Sequence, residues 1–184
     1  MSVLESCAKK SEKWPAVFLN DKEQHVVTYL VDIILPATDT PGGLDVNLPQ
    51  FIDMMSNDVL EADQQQIFKQ GSEVFSDRFK SKFGKDIGGS DKKEIAELFA
   101  DLFDVSDEKK KEILKINGKK GAEIPAAEQE NFKMYKFLLT VRSLSLLGYF
   151  TSEKIGTQVL SFDPIPGGYK ACIPVSDVGN AWTI

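Results

Sequence analysis

Few residues in this sequence are of types that do chemistry, and their spacing restricts what they could do. Of 184 residues, two are cysteine (Cys7 and Cys172) and one is histidine (His25). These cannot supply the roughly four N/S ligands of a zinc site, so no metal ligands are assigned. A Cys-x-x-Cys-His run for covalent haem is absent, as is a Gly-x-Gly-x-x-Gly turn after a strand pattern. No cofactor-binding residues are assigned either. What remains are carboxylates. Asp39, Asp53 and Glu61 could serve as general acids or bases, but such pairs need a defined separation. No nucleophile set of Ser, Cys and His accompanies them, and no catalytic residues are assigned. Asp39 lies between Thr38 and Thr40, before Pro41-Gly42-Gly43. Side chains of these types commonly satisfy backbone N–H groups in turns, and that is the expected role here. His25 opens a helical pattern and reads as a surface or capping residue.

The two cysteines have several readings. Leu4-Glu5-Ser6-Cys7 sets an apolar residue three before a cysteine and a small residue just before it. This resembles the end of a bacterial lipoprotein signal. With an apolar region upstream, Cys7 would be a lipidation site; otherwise it is a chance cysteine in the lead-in. Cys172 is either a buried small hydrophobe or a reactive thiol.

Net charge is −6, with 42% hydrophobic and 27% charged residues. Nucleic-acid binding needs clustered Lys and Arg on one face, and the short basic runs Lys109-Lys110-Lys111 and Lys119-Lys120 are surrounded by acids. They read as solvated helix faces. No run reaches the roughly 20 apolar residues of a membrane span, which leaves a lipid anchor as the only expected route to a membrane. No complete signal peptide is recognised at the N-terminus.

The elements that must position these residues are helical. Residues 1–19 are expected to be a mobile lead-in whose Trp14, Phe18 and Leu19 dock on the core. Asn20 and Glu23 form a capping-box pattern, followed by an apolar stripe through Val26, Val27, Leu30, Val31 and Ile34. Asn47 and Gln50 are expected to cap a second helix with Phe51, Met54, Met55 and Val59 on its apolar face. Met54-Met55 reads as core filling or an adaptable binding surface. A long helix runs from about 61 to 83, with Gly84 as its stop. Gly71 within it suggests close packing. Ser90 and Ser106 are expected to cap two further helices, and 118–127 reads as a linker. The most apolar stretch, Phe132–Gly148, falls in a helix expected over about 127–147, which is apolar nearly all round and belongs in the middle of a bundle, with Gly148 as its natural end. A short helix follows over about 152–160. From Ser161 onward Pro and Gly forbid long regular elements, yet the segment is apolar enough that it must lie on something. The fold class is all-α: an irregular bundle of about five to seven helices over residues 20–160, with an extended Pro/Gly-rich segment over 161–184. That segment packs on the bundle or on a partner.

Four segments carry a family resemblance: Ile33–Gly42 (IILPATDTPG), Leu48–Asp53 (LPQFID), Leu146–Ser152 (LLGYFTS) and Pro166–Tyr169 (PGGY). With Cys172, Pro174, Gly179, Ala181 and Trp182, the chain resembles the gluconate 2-dehydrogenase subunit 3 family from about residue 20 onward. The resemblance implies a small subunit without flavin. It would accompany a large FAD-dependent dehydrogenase of the glucose-methanol-choline class, with a haem-c cytochrome as a third subunit. Substrates of such complexes are sugars, sugar acids or glycosides. Family members commonly carry a twin-arginine signal, and residues 1–19 contain none.

The expected function is therefore a non-catalytic subunit of a periplasmic oxidoreductase complex acting on CH–OH groups. It would support folding, export or stability of the large subunit and could be held to a membrane through Cys7. The alternatives are a chaperone that leaves after export, or a stand-alone enzyme working through its carboxylates. Aromatic residues commonly anchor interfaces, so Tyr149, Phe150, Tyr169 and Trp182 are the expected partner contacts, each with ordinary core packing as the alternative. Cys172 gains a third reading, a bridge to a cysteine of the large subunit, which an oxidising compartment would permit.

Overall fold

The computed structural model describes residues 14–161, 172–177 and 179–180. Seven α-helices occupy them: α1 (Asp21–Ile34), α2 (Leu48–Asp58), α3 (Ala62–Phe83), α4 (Lys92–Phe103), α5 (Asp107–Lys115), α6 (Gln129–Thr151) and α7 (Glu153–Gln158). Short 3-10 turns link them, and no β-strand occurs among the described residues. The class is all-α, an irregular bundle. None of these helices is long and apolar enough to cross a membrane.

The bundle is built around α6, which packs most extensively on α3 and also meets α1, α2 and α7. Its apolar residues cover most of its circumference, and Phe132, Met134, Phe137, Leu138, Leu139 and Val141 are buried. Phe137 lies edge-on to Phe68 of α3 at 4.8 Å between ring centroids and also meets Phe75. Edge-to-face pairs of this kind add to the stabilisation from area burial alone. Phe68 is fully buried, whereas the adjacent Ile67 is only half-buried. Gly71 allows the two helices to touch: a Cβ there would lie 2.2 Å from the Lys133 carbonyl oxygen.

Several helix ends follow the expected chemistry. Asn20 Oδ1 accepts from the backbone N–H of Lys22 and Glu23, and Glu23 Oε2 accepts from Asn20 N. Ser106 Oγ accepts from Lys109 N and caps α5. Gly84, at φ 71°, closes α3 in the left-handed region that favours glycine.

Four expectations are corrected. Asn47 does not cap α2 with its side chain; at φ 55° it closes the preceding 3-10 turn, Gly43–Val46, a conformation asparagine tolerates. The α4 cap is Asp91, reciprocally bonded with Glu94, while the Ser90 hydroxyl donates to the Ile87 carbonyl. The buried face of α2 is Leu48, Ile52, Asp53 and Ser56, and Met54 and Val59 are exposed. A buried aspartate hid that face from a purely apolar reading. Finally, Gly148 does not stop the central helix. It lies inside α6, where a Cβ would come within 2.6 Å of Phe51 Cδ1, and the helix continues to Thr151. The break is Ser152, whose extended backbone starts α7 and whose hydroxyl donates to the Tyr149 carbonyl.

Candidate partner-docking site

One corner of the bundle combines a tightly closed loop with exposed apolar side chains. The loop leaves α1 at Leu35 and returns at the Gly43–Val46 turn. Gly43 N donates to the Leu35 carbonyl at 2.8 Å, and Thr38 N donates to the Thr40 carbonyl at 3.0 Å. Asp45 Oδ2 accepts from Gly42 N at 2.8 Å. The glycines are required by close approach. A Cβ on Gly42 would stand 2.5 Å from Ala37 N, and one on Gly43 would stand 2.5 Å from Val31 Cγ1. The side chains of Thr38, Asp39 and Thr40 are exposed. The expected turn-capping role of Asp39 therefore belongs to Asp45.

Tyr149 ties α6 to this loop. Its hydroxyl donates to the Pro41 carbonyl at 2.8 Å, and the residue is only 8% exposed. The next residue, Phe150, meets the Tyr149 ring edge-to-face and is 51% exposed. Leu147, one turn earlier on α6, is 47% exposed, and Leu44 of the Gly43–Val46 turn is 39% exposed. An open cleft of about 550 Å³ lies between the loop and the end of α7, lined by Thr38, Asp39, Asp45, Lys154, Gln158 and Asn180 among others.

The remaining expected residues are placed as follows. Cys172 is exposed, which removes the reading of a buried small hydrophobe, and its φ is 56°. Its neighbours Ile173 and Val175 are exposed as well, and Asn180 Nδ2 donates to the Val159 carbonyl at the end of α7. Cys7, Tyr169 and Trp182 lie outside the described residues.

The three candidate carboxylates are set apart by their surroundings. Asp39 and Glu61 are exposed, whereas Asp53 is buried. Burial alone would raise the Asp53 pKa. The N–H groups of Leu19, Val17 and Phe18 and the Trp14 indole outweigh that, and the carboxyl titrates below its usual range. Those four donors, at 2.7–3.3 Å, make Asp53 the anchor of the segment 14–19. Lys69 completes the anchor: it donates to the Phe18 carbonyl, pairs with Glu23 and sits over the Phe18 ring. His25 Nε2 lies 3.0 Å from Ser90 Oγ and 3.1 Å from Ser90 O. Because the Ser90 hydroxyl hydrogen is given to Ile87, this nitrogen is the donor. Burial lowers the His25 pKa, only partly offset by its bond to the Ser90 backbone. Among the described residues no group of three or more His, Cys, Asp or Glu side chains is placed to hold a metal ion.

Sequence reading pointed to Phe150 through its aromatic character but missed Asp45, Leu44 and the link from Tyr149 to Pro41. The exposed apolar pair on α6 was not separable from its core residues by pattern, because that helix is apolar all round.

Comparison with known proteins adds the family. No curated protein and no solved structure matches the chain. Residues 21–167 match the family model described as gluconate 2-dehydrogenase subunit 3. The match covers every helix described above and the loop at the end of α1. This chain belongs to the gluconate 2-dehydrogenase subunit 3 family.

Proposed function

We propose that this chain is the non-catalytic small subunit of a periplasmic, FAD-dependent dehydrogenase complex that oxidises CH–OH groups of sugars, sugar acids or glycosides. Its task is to support folding, export or stability of the large flavoprotein subunit. FAD resides on that partner, and a haem-c cytochrome takes the electrons. Lipidation at Cys7 is the proposed route to the membrane. The observation that carries this reading is the family match, whose description names a dehydrogenase subunit. The anchoring role of Asp53 supports it, since that carboxylate is committed to the backbone of residues 17–19 and not to a substrate.

Co-expression with the flavoprotein dehydrogenase of the same host tests it. The expected result is a stable one-to-one complex, with little soluble flavoprotein when this chain is omitted. A flavoprotein that folds and turns over equally well alone overturns the reading. A complex seen only before export would favour a dissociable chaperone. Turnover of a sugar by the isolated chain would favour an enzyme in its own right.

A further inference from the structure

We propose that the cleft between the 37–41 loop and α7 binds a neutral polyhydroxy compound, a sugar or a glycoside. This site goes beyond the subunit role given above and is tested on this chain alone.

The cleft has a fixed shape. One wall is the loop, whose backbone is closed by the bonds of Thr38 N to Thr40 O and Gly43 N to Leu35 O. Pro41, itself a lining residue, is held by the Tyr149 hydroxyl. The other wall is α7, where Lys154 and Gln158 lie four apart, share a helix face and both line the cleft. The cleft volume of about 550 Å³ falls within the roughly 300–1,000 Å³ of small-molecule sites. Walls ordered before binding lose less conformational entropy on association.

The polar groups that line it are not spent on the fold. Among the described residues, the side chains of Asp39, Lys154 and Gln158 make no hydrogen bond or ion pair, although all three face one cleft. Asp45 uses one oxygen on Gly42 N and keeps the other. Asn180 commits Nδ2 to the Val159 carbonyl and keeps Oδ1 as an acceptor. Polar side chains displayed on a rigid loop, and not needed to close it, are the usual form of a binding element.

The mixture of groups selects the ligand. Two carboxylates, Asp39 and Asp45, share the lining with one ammonium, Lys154. An anion would meet the two carboxylates, and a metal cation would meet the ammonium. A neutral polyol meets neither cost. Its hydroxyls donate to carboxylate oxygens and accept from ammonium and amide N–H groups, so one molecule satisfies both walls. The described lining holds no aromatic ring for a sugar face to stack on, which sets the affinity in the millimolar range.

Amide NMR of the full chain during titration with glucose tests the site, with glucuronate and calcium chloride as the charged counterparts. Glucose is expected to give saturable shifts confined to the amides around Thr38, Asp39, Thr40, Lys154 and Gln158. Glucuronate is expected to bind more weakly, and calcium to leave these amides unmoved. Asp39→Ala and Gln158→Ala should each weaken glucose binding by roughly three- to tenfold, the worth of one hydrogen bond. Asp39 and Gln158 are exposed, so melting temperatures should match the parent. Lys110→Ala on α5, outside the cleft lining, is the control and should bind like the parent. Shifts that do not saturate or that lie elsewhere overturn the proposal, as do folded Asp39→Ala and Gln158→Ala variants that bind like the parent. Tighter binding of glucuronate or calcium than of glucose overturns the neutral ligand class. None of these results involves the flavoprotein, so the subunit reading stands or falls separately on co-expression.

Discussion

The Tyr149 hydroxyl donates to the Pro41 carbonyl at 2.8 Å across 108 positions of sequence. The bond joins the last turn of the central helix to the loop that leaves α1. It explains why Tyr149 and Phe150, adjacent in sequence, have different tasks. The helix directs the Tyr149 ring inward to hold the loop and leaves the Phe150 ring half in solvent. The position of the loop is thus set by the core.

Tyr149→Phe isolates that bond. Removing one hydroxyl from a partly buried pair costs about 0.5–1.5 kcal/mol, which corresponds to roughly 2–4 °C of melting temperature per kcal/mol in a chain of this size. The ring remains, so packing is kept. Thermal melting checks the stability loss. Affinity for the flavoprotein checks the positioning role: it should fall further than the small stability change explains. A lower melting temperature with unchanged affinity would show that the bond serves the fold alone.

The helices were legible because their signals are local. The capping box at Asn20 and Glu23, the glycine after Phe83 and the Ser106 cap of α5 each lie within a few residues. The errors came from contacts distant in sequence. Gly148 has the composition of a helix stop, but Leu48 and Phe51 of α2 use its missing side chain as a crossing point. Asp53 could be read as a general acid or base because the donors that commit it to the fold lie 34 to 39 positions earlier. The docking corner was half-legible for the same reason. Phe150 could be singled out by type, but Asp45, which closes the loop through Gly42 N, arrives through the turn that precedes α2.

Two glycines at helix crossings, Gly71 and Gly148, give a graded prediction. Alanine normally improves a helix interior by about 1 kcal/mol over glycine. At Gly71 the added Cβ would meet the Lys133 carbonyl at 2.2 Å and the Phe137 Cβ at 2.7 Å. The carbonyl belongs to the α6 backbone, so relief requires the helices to separate, and a net loss of about 1–3 kcal/mol is expected. At Gly148 the nearest atoms are the ring of Phe51 and a methyl of Leu48, which can rotate. Gly148→Ala should therefore cost less than Gly71→Ala. Urea unfolding of both variants measures the order, and the reverse order would place the tighter crossing at α2.

Asp53 supplies a prediction in pH as well as in mutation. Its folded pKa lies below the ordinary carboxylate value of about 3.9. The ionised form is therefore favoured by folding. Its stabilisation is complete above the unfolded pKa and is lost as pH falls through the folded value. The effect should appear below about pH 4, where stability declines as the carboxylate takes up a proton and gives up acceptor capacity to Val17, Phe18, Leu19 and Trp14. Asp53→Asn keeps one acceptor oxygen but loses the charge, so it should reduce stability at neutral pH and flatten the acid dependence. Asp53→Ala leaves buried donors unpaired at about 1–3 kcal/mol each, moderated where water reaches them, and should release the segment 14–19. Urea titrations between pH 3 and 7 on the parent and both variants read the stability, and Trp14 fluorescence reads the release. An acid limb that persists unchanged in Asp53→Asn would assign the pH dependence to other carboxylates.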